Sequence, residues 1–97
     1  MITVTMEMAL KPGMLVQFRE AAAVALKDTA ARPGFRSIRV FPGHGVDRAL
    51  FIEEWDSAED YQAYLDWRAA GNSSTGIRDC AAGKPEIKIW DDQVLAY

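Results

Sequence analysis

The 97-residue sequence predicts an α+β fold built on an antiparallel sheet. Three observations carry that expectation. Apolar residues alternate with polar ones from Met1 to Leu10. Two later runs, Phe35–Phe41 and Arg48–Trp55, are rich in branched and aromatic residues. Two further stretches place apolar residues three and four apart.

In the first strand Ile2, Val4, Met6, Met8 and Leu10 fall on one side, with Thr3, Thr5 and Glu7 on the other. Lys11-Pro12-Gly13 ends it, because proline cannot continue the ladder and glycine permits the turn. From Met14 to Ala31 the chain is rich in Ala and Leu. Leu15, Phe18, Ala22, Ala25 or Leu26, and Thr29 form a helical stripe, closed by Arg32-Pro33-Gly34. Phe35–Phe41 and Arg48–Trp55 then read as a hairpin around the loop Pro42-Gly43-His44-Gly45-Val46-Asp47.

Asp56-Ser57-Ala58-Glu59-Asp60 supplies an N-cap and an acidic first turn. The second helix follows, with the stripe Ala58, Tyr61, Leu65 and Ala69, and stops at Gly71. A polar loop spans 71–76, a short helical turn is expected over 77–82, and Lys84-Pro85 introduces a strand from Glu86 to Trp90. The apolar tail Val94-Leu95-Ala96-Tyr97 reads as one more strand. The order βαββαβ matches the split βαβ, ferredoxin-like pattern: a four-stranded antiparallel sheet with both helices on one face. The other face carries Leu50 and Ile52 among polar neighbours, so a partner subunit is expected to cover it.

Composition narrows the function. Ninety-seven residues suit one domain. Eleven basic against fourteen acidic residues give a net charge of −3, the wrong sign for a phosphate-backbone partner, so no nucleic acid is expected. No run approaches the ~20 apolar residues of a membrane span, and the N-terminus lacks the features of an export signal. One cysteine, Cys80, makes neither an intrachain disulfide nor a thiolate cluster, and is read as a small buried residue; a cytoplasmic setting is the default. No metal spacing, phosphate loop or dinucleotide fingerprint is present, so no cofactor is expected.

Lys-Pro-Gly at 11–13, Arg-Pro-Gly-Phe at 32–35 and Phe-Ile-Glu-Glu-Trp-Asp-Ser-Ala-Glu-Asp-Tyr-Gln-Ala-Tyr at 51–64 resemble the antibiotic biosynthesis monooxygenase (ABM) family. The likeness runs over nearly the whole chain. It implies a homodimeric α+β barrel in which two ferredoxin-like sheets face each other and a C-terminal segment reaches the neighbour. It also implies one of several activities: cofactor-free oxygenation of anthrones and quinols, haem degradation, or none yet known.

Trp55 stands where active family members place a pocket tryptophan, so the resemblance implies a wall for a flat aromatic; the competing reading is a filler of the sheet–helix joint. Tyr61, one and a half helical turns on, matches a pocket tyrosine of anthrone-oxidising relatives, and otherwise belongs to the helix stripe. Departures from the family pattern also discriminate. Phe51 replaces the asparagine of the anthrone oxygenases, while Leu65 and Met6 replace the histidine and asparagine of the haem-degrading branch. Neither can supply an imidazole ligand or an amide donor, which disfavours haem degradation.

Glu53 shares a strand face with Phe51 and Trp55. Burial there would raise its pKa toward that of a base, unless Arg36, Arg39 or Arg78 forms a buried ion pair with it. Arg39 and Arg78 are candidate partners for a substrate anion, and Arg39 has no face fixed by the pattern. His44 is the residue type suited to proton transfer near neutrality, but it lies in the hairpin loop beyond Arg48, which is itself about 23 Å along the strand from Trp55, and it is read as an exposed turn residue. Trp67, Arg68 and Tyr64 crowd the end of the second helix before a six-residue polar loop, which reads either as a lid over a pocket or as an ordinary exit from the helix.

The candidate catalytic residues are therefore Trp55, Tyr61 and Glu53, with Phe51, Tyr64, Leu65, Met6 and Arg39 around the substrate. The expected activity is cofactor-independent oxidation of an electron-rich aromatic by O2. The alternative is a non-catalytic dimeric protein of the same fold that binds a small molecule or serves as a scaffold.

Overall fold

The computed structural model describes residues 1–97. Its elements are β1 (Ile2–Ala9), α1 (Leu15–Ala30), β2 (Phe35–Pro42), β3 (Arg48–Trp55), α2 (Ala58–Ala69), α3 (Thr75–Cys80) and β4 (Glu86–Trp90). The strands form one antiparallel sheet in the order β2-β3-β1-β4, with β1 paired to β3 (Ile2↔Trp55, Met6↔Phe51) and to β4 (Thr3↔Trp90). This is the ferredoxin-like arrangement that the alternation predicts, with three helices rather than two.

Alternation decides the two faces. On the helix side Ile2, Val4 and Met8 of β1 and Ala49, Phe51, Glu53 and Trp55 of β3 are buried. On the open side register aligns Phe41, Leu50, Glu7 and Glu86 in one row and Arg39, Ile52, Thr5 and Lys88 in the next. The helix side holds two apolar clusters. One joins Met8, Leu10, Phe18, Ala22, Ala49, Phe51 and Cys80; the other joins Ile2, Val4, Trp55 and Tyr61. Between them the layer is incomplete.

The connections follow local chemistry. Ser57 caps α2, accepting from the Asp60 amide at 3.1 Å and donating to Asp60 Oδ2 at 3.0 Å. Gly34 adopts φ +81°, and a Cβ there would run into the Asp60 side chain, so the turn into β2 fits against the capped end of α2 only as glycine. At Gly76 the missing side chain lets α3 approach Ala21 of α1.

Three expectations are corrected. The helical turn begins at Thr75 rather than Ile77 and ends at Cys80. Leu15 is largely exposed, so the α1 stripe runs through Phe18, Ala22 and Thr29. The tail 94–97 forms no strand: it pairs with neither sheet edge, and Val94, Leu95 and Tyr97 project into solvent, because apolar composition alone does not specify a pairing partner. No helix is long and apolar enough to cross a membrane.

Candidate active site

A cavity of about 310 Å³ fills the gap between the two clusters. Its floor is the sheet, through Met6, Met8, Ile38, Phe51, Glu53 and Ile87; its walls are α1 (Leu26), α2 (Tyr61, Tyr64, Leu65, Arg68) and α3 (Ile77, Arg78). The volume lies at the lower end of the ~300–1,000 Å³ typical of small-molecule sites, and the lining is mostly apolar with a few convergent polar groups.

Glu53 is the carboxyl group among them. It stands on a central strand and is 4% exposed, with its Oε1 accepting a 3.1 Å hydrogen bond from the Trp55 indole N–H. Burial pushes its pKa above the usual carboxylate range, and the indole bond opposes part of that rise. The expected ion pair is absent. Arg36 instead pairs with Asp56 at 2.5 Å, Arg39 lies on the open face, and Arg78 makes no salt bridge.

Tyr61 is buried, and its phenol is driven further toward the neutral form by burial first, then by the neighbouring Glu53 and Tyr64. It therefore faces the cavity as a hydroxyl. Tyr64, by contrast, is tied into a network: Arg68 Nε donates to its Oη at 3.1 Å, and the Tyr64 and Thr29 hydroxyls hydrogen-bond each other at 3.0 Å. Arg68 Nη2 also donates to Thr29 Oγ1 (2.9 Å) and to the Ala25 carbonyl (3.0 Å), and Nη1 donates to the Asn72 carbonyl (2.9 Å). One side chain thus fastens the end of α2 to α1.

Of the residues expected from sequence, the structure brings Glu53, Tyr61, Phe51, Tyr64, Leu65 and Met6 to the cavity. Phe51 does not plug it, because its ring packs edge-on against Phe18 with centroids 5.7 Å apart. Trp55 is displaced from its expected place as a wall. It is completely buried behind the cavity, packed against Phe35, Tyr61 and Tyr64, and reaches the site through the two tyrosine rings and its hydrogen bond to Glu53.

Arg39 is also displaced. A bulge between Phe35 and Ser37 shifts the alternation of β2 by one residue, which puts Ile38 on the cavity side and Arg39 on the open face, beside Phe41. His44 is exposed in the hairpin loop, and Cys80 is buried in the core, as read from sequence. Sequence reasoning left Arg68, Met8, Ile77 and the loop serines Ser73 and Ser74 out of the site. Arg68 had a usable signal, lying four residues after Tyr64 and seven after Tyr61 on one helical face.

The fold recurs in solved structures. SnoaB, a cofactor-independent oxygenase from Streptomyces nogalater, is 16% identical with a TM-score of 0.81, over 97% of this chain and 94% of that one. A conserved protein from Methanosarcina mazei Go1 is 16% identical, with a TM-score of 0.80 over 95% and 92%. Rv0793 from Mycobacterium tuberculosis is 15% identical, with a TM-score of 0.71 over 99% and 98%. No curated protein matches the sequence. Residues 1–71 match the family model described as antibiotic biosynthesis monooxygenase. The chain belongs to the antibiotic biosynthesis monooxygenase family.

Proposed function

We propose that the protein is a cofactor-independent monooxygenase that oxidises an electron-rich aromatic of the anthrone, quinol or polyphenol type with O2. A buried carboxyl group with a raised pKa, opening onto an apolar cavity beside a neutral phenol, carries this reading. Glu53 takes a proton from the bound ring system, and the resulting delocalised anion passes one electron to O2. The radical pair combines, forming the C–O bond. The peroxide regains the proton from Glu53, with the Tyr61 hydroxyl as a hydrogen-bond donor. At an anthrone-type methylene, loss of water carrying the second ring hydrogen breaks the O–O bond, so that CH2 and O2 become C=O and H2O. Holding the anion near O2 and away from bulk water supplies the catalysis.

The 97 residues act as one domain, and a second copy covers the open face of the sheet, where Leu50, Ile52 and Phe41 are arrayed with polar neighbours. The likeness to SnoaB supports oxygen chemistry without a cofactor. The cavity that Phe51 leaves open weighs against the non-catalytic alternative in its filled-pocket form, and oxygen uptake separates the proposal from a protein that only binds.

The test is oxygen uptake by metal-free protein with a panel of anthrones and quinols. Uptake above the spontaneous rate, lost in Glu53→Gln, is expected. No acceleration with any member, or a Glu53→Gln variant as fast as the parent, overturns the proposal.

A further inference from the structure

The cavity lining carries two guanidinium groups, Arg68 and Arg78, and neither has a carboxylate partner. The ion pairs of the molecule, Arg36–Asp56, Arg48–Glu7 and Lys88–Glu86, lie elsewhere. Glu53, the carboxylate of the lining, takes its hydrogen bond from Trp55. Arg68 is half-buried and fixed by four hydrogen bonds, all to neutral oxygens of Tyr64, Thr29, Ala25 and Asn72, and its guanidinium lies over the Tyr64 and Trp67 rings, so its charge is held rigidly with no carboxylate opposite it. These bonds use four of its five N–H groups, and one on Nη1 remains. Arg78 approaches the same cavity from α3, and Ser73 and Ser74 add hydroxyls on the connecting loop.

A half-enclosed site with two cations that lack carboxylate partners favours an anion, and a planar carboxylate suits it, since Arg78 can meet one through two parallel N–H groups and Arg68 through the single N–H left on Nη1. Glu53 belongs to a separate part of the lining, on the sheet floor, and repels a second negative charge once ionised. The polarity of the cavity therefore sets a direction for its occupant.

We infer that the natural ligand is a flat aromatic carrying a carboxylate, which rests on Arg68 and Arg78 and aims the oxidisable ring at Glu53 and Tyr61. The chemistry of the second half rests on the oxygenase reading; the anion site does not. Arg78, exposed and in no salt bridge, sets affinity, while Arg68 sets position.

Equilibrium binding separates the two ideas. Anthraquinone-2-carboxylate and anthraquinone-2-carboxamide, which are already oxidised and undergo no turnover, are titrated into the full chain and followed by quenching of tryptophan fluorescence. The carboxylate should bind roughly tenfold more tightly, with the preference reduced in about 0.5 M salt. Arg78→Gln, with its fold checked by circular dichroism, should lose at least about threefold of that preference, the carboxylate weakening more than the carboxamide.

Equal affinities, no binding of either compound, or an undiminished preference in Arg78→Gln overturns the inference. Selective carboxylate binding by a protein that consumes no O2 upholds the anion site and refutes the oxygenase reading. Oxygen uptake with neutral quinols alongside equal affinities does the reverse.

Discussion

The Trp55 indole N–H donates to Glu53 Oε1 at 3.1 Å, between two side chains that are both buried on β3. They are two residues apart and share a face, so strand geometry alone brings the donor beside the acceptor. The bond stabilises the ionised carboxylate against the surrounding desolvation.

Trp55→Phe keeps a ring in the core and removes that donor. The Glu53 pKa should climb further, and the acidic limb of the kcat/KM profile should move to higher pH. A limb that stays in place would show that the indole acts on substrate or on packing alone. Trp55→Ala, which empties a fully buried site, should cost about 3–5 kcal/mol in urea unfolding.

Glu53 also sets a pH dependence of stability. Its native pKa lies above its ordinary 4.5, so between those two values the folded state holds more protons than the unfolded chain. Stability attributable to this group is therefore greatest below the ordinary value, falls as pH rises through the native pKa, and is level beyond it. Glu53→Gln removes the decline while keeping an oxygen that accepts from Trp55. The variant should gain on the parent in Tm as pH rises across that window; a constant difference in Tm would contradict the assignment.

Much of this arrangement was legible in the sequence. The period of two in β1 and β3 assigned Met6, Phe51 and Glu53 to one face, and the helical spacing of Tyr61 and Leu65 turned them toward it. Depth along the strand was not legible. Trp55 has the right parity, but the cavity is displaced toward Met8 and α3, so that the tryptophan lies behind it. Arg39 was misplaced for a different reason, since a bulge after Phe35 reverses parity without leaving a mark in residue type. The Arg68 network depends on α1 and α2 meeting 39 residues apart, which no local pattern encodes.

Thr29→Val tests that network. Valine keeps the shape but withdraws the acceptor used by Arg68 and shared with Tyr64, both part-buried. A loss of about 1–3 kcal/mol is expected, with faster amide exchange at the end of α2 than at its capped start. An unchanged exchange pattern would mean that Arg68 does not fasten the helix.

Ile52→Glu tests the covered face. Ile52 sits between Thr5 and Arg39 at the centre of the open side, where a buried charge would be costly. Sedimentation should show a dimer for the parent and a monomer for the variant; a monomeric parent at micromolar dilution would remove the partner from the proposal.

The strand order has a consequence for biosynthesis. β1 emerges first but sits between partners that arrive last, joining Ile2 to Trp55 and Thr3 to Trp90. Both borders of that strand are satisfied only once β3 and β4 have been made, so the nascent β1 waits with its amides unpaired until then. Closure of such distant pairings is intrinsically slow, which makes the central strand the last to complete its ladder bonds.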